Sequence, residues 1–137
     1  MPRLKKSRIL VVDDHPAMRE GLRAILHSAG DLAVCGEAEN GQEAITAVKN
    51  LQPDLAIVDI SLREEHDGLD LTRRLRKEWP SLPILTFSLH QEQAYCDAAL
   101  AAGAQGYCTK GEGSKILLNA VRQVLRGNSF VSKLVRR

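Results

Sequence analysis

The sequence predicts a layered α/β domain, a doubly wound five-stranded parallel sheet of the (βα)5 type with helices on both faces. Three observations carry this. Short apolar runs alternate five times with helix-period stretches across short connections, and right-handed crossovers turn such an alternation into a parallel sheet. The central run Leu55-Ala56-Ile57-Val58 is apolar throughout, as a strand buried on both faces must be. It stops at a carboxylate, Asp59, and the earlier run Ile9-Leu10-Val11-Val12 stops at two, Asp13 and Asp14. In open α/β sheets, ligands bind beyond the carboxyl ends of the strands.

Taken in order, Asp14-His15-Pro16 opens the first helix, with proline suited to its first turn. Leu22, Ile25, Leu26 and Ala29 give that helix one apolar stripe, and Gly30 ends it. Leu32 to Gly36 is the second strand. Asn40 with Glu43 three residues on is a capping signature. The helix it opens buries Ala44, Ala47, Val48 and Leu51, and Pro53 stops it. The central strand leads through a polar loop, Ser61 to Asp67, into a helix from about Gly68 to Trp79, with Leu71, Leu75 and Trp79 in register. Pro83 to Ser88 is the fourth strand, ending in a hydroxyl, and an Ala-rich helix covers about Gln91 to Ala102, with Gly103 closing it. Gly106 to Lys110 is the fifth strand, ending in an amine. Ser114 is expected to cap the last helix, which turns Leu117, Leu118, Val121 and Leu125 inward and closes at Gly127. The stretch from Asn128 to Ser132 is too short to fold alone and reads as the beginning of a linker.

Composition narrows the function. At 137 residues the chain fits one domain with a genuine core. A net charge of +2 does not argue for nucleic acid, and the basic residues near the ends (Arg3, Lys5, Lys6, Arg8; Lys133, Arg136, Arg137) read as solvated tails. Cys35, Cys96 and Cys108 have no CxxC or metal-ligand spacing and read as reduced, mostly buried thiols. No signal peptide and no membrane-length apolar run is present, so the expectation is a soluble, cytoplasmic protein without a membrane partner.

The strand ends deliver Asp13, Asp14, Asp59, Ser88 and Lys110 to one edge. Like charges about 4 Å apart cost roughly 4 kcal/mol per pair at an effective dielectric near 20. A hard divalent cation, Mg²⁺ in the first instance, relieves that repulsion and leaves positions for phosphoryl oxygens. Lys110 can pair with the acids at rest and with a phosphoryl group when one arrives, and Ser88 can hydrogen-bond to it. Acid nucleophile, metal, amine and hydroxyl together suit phosphoryl transfer. Taken singly, each residue has a plainer reading. Asp13-Asp14 alone is a solvated strand end or a helix cap, Lys110 a surface lysine, Ser88 a cap for the fourth helix and Tyr107 a half-buried strand aromatic. His15, His66 and His90 read as exposed loop residues rather than ligands, Glu64 and Glu65 as solvated, and Cys108 as packing.

At these residues the chain resembles the receiver domains of two-component response regulators, in the NarL/FixJ (LuxR-type) branch. The resemblance rests on Val12-Asp13-Asp14-His15-Pro16, Arg19-Glu20-Gly21-Leu22, Ser88-Leu89-His90 and Ala102-Gly103-Ala104-Gln105-Gly106-Tyr107, and runs from about Ser7 to Ser132. It implies a flavodoxin-like sheet of strand order 2-1-3-4-5 and a receiver domain over residues 1–132, with 133–137 beginning a linker or tail. It also implies that Asp59 is the phosphoacceptor, fed by a sensor histidine kinase. Asp13, Asp14, Asp59 and the backbone carbonyl of Ser61 would hold Mg²⁺, and Lys110 would neutralise the phosphoryl charge. Ser88 and Tyr107 would be the switch pair, Tyr107 swinging inward and altering the surface of the fourth helix, fifth strand and fifth helix. Further expectations are a possible homodimer and DNA contact only through a C-terminal helix-turn-helix domain that these residues do not contain.

Three features depart from that pattern. The loop from Asp59 to Gly68 is one residue longer and carries Arg63-Glu64-Glu65-His66 in place of a proline, Leu89 is bulky, and Gly111 follows Lys110. A stand-alone receiver remains an alternative. An aspartyl-nucleophile phosphatase is disfavoured, because Asp59 is followed by Ile60 and Ser61, and serine cannot act as the second acid.

Overall fold

The computed structural model describes residues 5–62 and 67–135. Its strands are β1 (Ser7–Val12), β2 (Leu32–Ala38), β3 (Leu55–Val58), β4 (Ile84–Ser88), β5 (Gly106–Thr109) and β6 (Phe130–Val131). The helices between them are α1 (Pro16–Ser28), α2 (Gly41–Leu51), α3 (Asp67–Glu78), α4 (Gln93–Ala102) and α5 (Ser114–Leu125). All pairings are parallel, in the order β2-β1-β3-β4-β5-β6. The flavodoxin-like order 2-1-3-4-5 is therefore present, with a sixth strand added at the β5 edge.

Alternation along the strands builds two cores. Leu10, Val12, Ala56 and Val58 face one side, with Ala44 and Val48 of α2, Leu71 and Leu75 of α3, and Cys96 and Ala99 of α4. Ile9, Val11, Leu55 and Ile57 face the other, with Leu22 and Leu26 of α1 and Leu117, Val121 and Val124 of α5. Side chains of period two can serve both faces only because helices cover both.

Several sequence expectations shift. The segment after Gly127 is not a free linker: Gly106 pairs with Phe130 and Tyr107 with Val131. The Ser132 hydroxyl, itself buried, accepts the Thr109 N–H at 2.8 Å. Two residues are too few to show a strand period, and the unpaired edge of β5 supplies the partner. Ser114 does not cap α5. It is the helix's first residue, and the cap position is taken by Gly113 at φ 89° without a side-chain bond. The buried stripe of α5 is Leu117, Ala120, Val121 and Val124, leaving Leu118 and Leu125 half-buried at its margin. Ala47 and Leu51 of α2 are likewise half-buried.

Ser88 does not cap α4, whose cap residue is Glu92. Asn40 does cap α2, accepting the Glu43 N–H at 2.9 Å, but that helix ends in left-handed Gln52 (φ 49°) before Pro53 is reached. Among the described residues no helix is long and apolar enough to cross a membrane.

Candidate functional site

Parallel pairing of Val12 with Val58 brings the residues just beyond β1 and β3 side by side, and the Asp59 N–H donates to the Val12 carbonyl at 3.0 Å. Asp13 and Asp59 are both buried. Lys110 follows β5, its N–H donating to the Ser88 carbonyl at 2.8 Å. From there the ammonium reaches Asp13 Oδ2 and Asp59 Oδ2, 2.9 Å from each.

Burial by itself pushes the Asp13 carboxyl up. The His15 N–H and the Lys110 ammonium outweigh it and hold the group below the usual carboxylate range. For Lys110, burial pulls downward, and bonds and charge from Asp59 and then Asp13 reverse this, so the ammonium is held above its ordinary value. An ammonium shared by two buried acids is stable only as a set, since removing one member strands charge in a poor solvent.

Asp14 is the third acid. Its Oδ1 is buried and has no hydrogen-bond partner. The His15 ring nitrogen Nδ1 is 3.0 Å from it, but in hydrogen-bond geometry only with Asp13 Oδ1, at 2.9 Å. Asp13, Asp14, His15 and Asp59 can each offer one ligand atom, all within 4.8 Å of one another. An orphaned buried oxygen beside two further carboxylates fits a divalent cation, which accepts several oxygen ligands where one proton satisfies few. His15, expected to be an exposed loop residue, does have a side chain 64% exposed, yet its ring edge belongs to the cluster.

A second hub lies above β4 and β5. The Ser88 hydroxyl accepts the His90 N–H at 3.1 Å. The Tyr107 ring is fully buried, and its hydroxyl donates to the His90 carbonyl at 2.7 Å. Burial pushes this phenol up to about 12. The His90 ring stacks on Tyr95 with centroids 3.9 Å apart, and its Nε2 is 3.0 Å from the Ser61 hydroxyl. Ser61 in turn donates its N–H to Asp59 Oδ1 at 3.0 Å. His90 is thus half-buried and central, a role the sequence reading missed. Its partners lie up to 29 residues away, and no local spacing announces them.

Gly68 closes the site from below. Its N–H donates to the Ile60 carbonyl at 3.0 Å, and a Cβ there would stand 2.0 Å from the Asp59 carbonyl oxygen. Cys108 is buried, and burial raises its thiol to about 11, as expected of packing rather than redox chemistry. Leu89 is 73% exposed. The expectations placed on Arg63, Glu64, Glu65 and His66 lie outside the described residues.

Residues 9–122 match the family model described as "Response regulator receiver domain". The response regulator GacA of Pseudomonas viridiflava is 34% identical over 125 residues, which are 91% of this chain and 58% of that protein. The chain therefore spans a little over half the length of such relatives. A crystal structure of a LuxR-family two-component response regulator from Aurantimonas sp. SI85-9A1 superposes with a TM-score of 0.91 at 34% identity, covering 96% of this chain and 93% of that one. The receiver domain of the putative response regulator NarL from Mycobacterium tuberculosis gives a TM-score of 0.84 at 32% identity, covering 90% and 99%.

Proposed function

Since this chain belongs to the response regulator receiver family, in its NarL/FixJ (LuxR-type) branch, we propose that it is a phosphorylatable switch, Asp59 taking a phosphoryl group from a phosphohistidine of a sensor histidine kinase. The observation that carries this is the Lys110 ammonium 2.9 Å from both Asp13 and Asp59, beside the orphaned Asp14 oxygen. One ammonium against three carboxylates leaves the site net negative, and a divalent cation would neutralise it so that a phosphoryl group can be received.

Asp13, Asp14, Asp59 and the Ser61 carbonyl would hold Mg²⁺, with the Ser61 amide tied to Asp59 and setting the position of that residue. When bound, the cation neutralises phosphoryl oxygens and orients the donor. An Asp59 carboxylate oxygen attacks phosphorus as the phosphorus–nitrogen bond breaks, and the histidine leaves as neutral imidazole after taking up a proton. Lys110 transfers its contact from Asp59 to a phosphoryl oxygen. Ser88 turns its hydroxyl toward the same group and releases the His90 N–H.

Tyr107 already points inward here, so phosphorylation stabilises this arrangement of α4, β5 and α5 over one in which the ring is released. Beyond transfer to and loss from Asp59, the chain performs no catalysis. The altered α4–β5–α5 surface controls an output, a DNA-binding helix-turn-helix domain after Arg137 in this reading, and supports homodimerisation. In this reading residues 1–132 are the receiver unit, 133–137 begin a linker or tail, and the setting is the cytoplasm.

Intact-mass measurement after incubation with Mg²⁺ and an acyl phosphate tests the reading. One phosphoryl group is expected on the wild type and none on Asp59→Asn. Equal uptake by the variant overturns the assignment. A reading frame that ends at Arg137 would favour a stand-alone receiver.

A further inference from the structure

His15 has a place in the acid cluster that the switch chemistry does not use. Its Nδ1 is 2.9 Å from Asp13 Oδ1 and 3.0 Å from Asp14 Oδ1. Donor atoms sharing an edge of an octahedral shell with bonds near 2.1 Å are about 3 Å apart. The nitrogen therefore already stands at the spacing of a neighbouring ligand from each of two carboxylate oxygens, in a cluster whose ligand atoms all lie within 4.8 Å of one another.

The local chain aims the ring. The His15 N–H donates to Asp13 Oδ1 at 2.9 Å, folding residue 15 back over residue 13. Pro16 then restricts His15 to extended backbone, φ −97° and ψ 112°. Two backbone constraints thus hold the ring edge over the acids, while the rest of the ring meets solvent. Lys110 does not compete for this space, because it bonds Oδ2 of Asp13 and Oδ2 of Asp59, whereas His15 faces Asp13 Oδ1.

The orphaned Asp14 Oδ1 is an independent sign. A proton on Nδ1 serves Asp13 and leaves Asp14 unsatisfied. A metal ion in that position binds both oxygens and the nitrogen together.

We propose that His15 Nδ1 is a direct ligand at the edge of the sheet, so that the site takes a borderline transition-metal dication of the Co²⁺ or Zn²⁺ class more readily than its carboxylates alone would. The inference rests on reading Asp13, Asp14 and Asp59 as a divalent-cation site. Mg²⁺ prefers oxygen ligands and retained water, while imidazole nitrogen suits the later first-row metals. The ring, on a side chain 64% exposed, binds as the tautomer with its proton on Nε2.

The experiment uses Co²⁺ and Mg²⁺ as probes on the wild-type chain and on His15→Ala. Affinity is read by isothermal titration calorimetry. Ligand identity is read by proton NMR of the Co²⁺ form, where a bound imidazole shows a strongly shifted, solvent-exchangeable N–H resonance. Expected results are that resonance in the wild type, its absence in His15→Ala, a loss of about tenfold in Co²⁺ affinity for the variant, and little change for Mg²⁺. Binding of both ions without a shifted imidazole resonance overturns the role of His15 and leaves the acid site standing. Equal weakening of both ions in the variant also overturns it, since His15 would then act only by positioning the acids. If neither ion binds the wild type, the inference falls together with the cation reading beneath it.

Discussion

The Tyr107 hydroxyl and the His90 backbone carbonyl are joined by a 2.7 Å hydrogen bond. It ties β5, the strand that Lys110 follows, to the turn that leads into α4. The same residue, His90, gives its N–H to Ser88 and its ring to Ser61 and Tyr95, so one backbone turn connects Ser88 and Tyr107 with the loop after Asp59.

Tyr107→Phe removes only the hydroxyl. A loss of about 0.5–1.5 kcal/mol is expected, read as a lower urea midpoint at unchanged slope, with faster amide exchange at the start of α4. Unaltered exchange there would mean that the bond does not restrain the helix.

Lys110→Ala leaves Asp13 and Asp59 without their shared cation. Metal-free protein should lose about 3 kcal/mol of stability, and Mg²⁺ should recover part of it through binding to the folded state. Thermal unfolding with and without Mg²⁺ measures both. A variant as stable as wild type without metal contradicts the charge balance described above.

Stability should fall at both pH extremes. Asp13 is held low in the fold, so its contribution is complete above about pH 4 and is lost as pH falls through the depressed value. Lys110 is held high, so its contribution is complete below about pH 10 and is lost as pH rises through the raised value. Tyr107 stays protonated up to about 12 in the fold, whereas an unfolded tyrosine ionises near 10, which adds to the alkaline loss. Urea midpoints across pH check this, and Tyr107→Phe should flatten part of the alkaline decline.

Gly68→Ala places a methyl group 2.0 Å from the Asp59 carbonyl oxygen and 2.6 Å from the Ile60 Cα. Both obstacles are backbone, so the start of α3 must move away from the strand end. A cost of about 1–3 kcal/mol is expected, with slowed uptake of phosphate from an acyl phosphate. Stability and uptake both at wild-type levels would show that the contact relaxes freely.

Ser132→Ala strands the buried Thr109 N–H that its hydroxyl accepts. A loss of about 1–3 kcal/mol is expected, with amide protection falling first at Thr109 and Lys110. Protection unchanged there would show that β6 does not brace the end of β5.

Much of this was legible in the chain because its causes are local. Unbroken apolar runs identify doubly covered strands, since period two is suppressed where both faces are buried. Asp59 and the Asp13-Asp14 pair stand out because they end such runs. Asn40 with Glu43 marks a helix start because the cap bond spans three residues. Ser114 misled because serine is a good cap in general, while here Gly113 takes the position through a backbone angle that serine does not favour.

What only the tertiary structure decided depends on partners far apart in the chain. The role of His90 comes from Ser61 and Tyr107, 29 and 17 residues away. The two-residue strand Phe130–Val131 exists because β5 has a free edge for it, and Gly68 is required because α3 begins against the Asp59 carbonyl. By itself, the sequence determined which side chains reach the edge of the sheet, since strand period and termination are properties of neighbouring residues. Their distances and shared hydrogen bonds were decided by the packing of the sheet, which brings residues distant in the chain into contact.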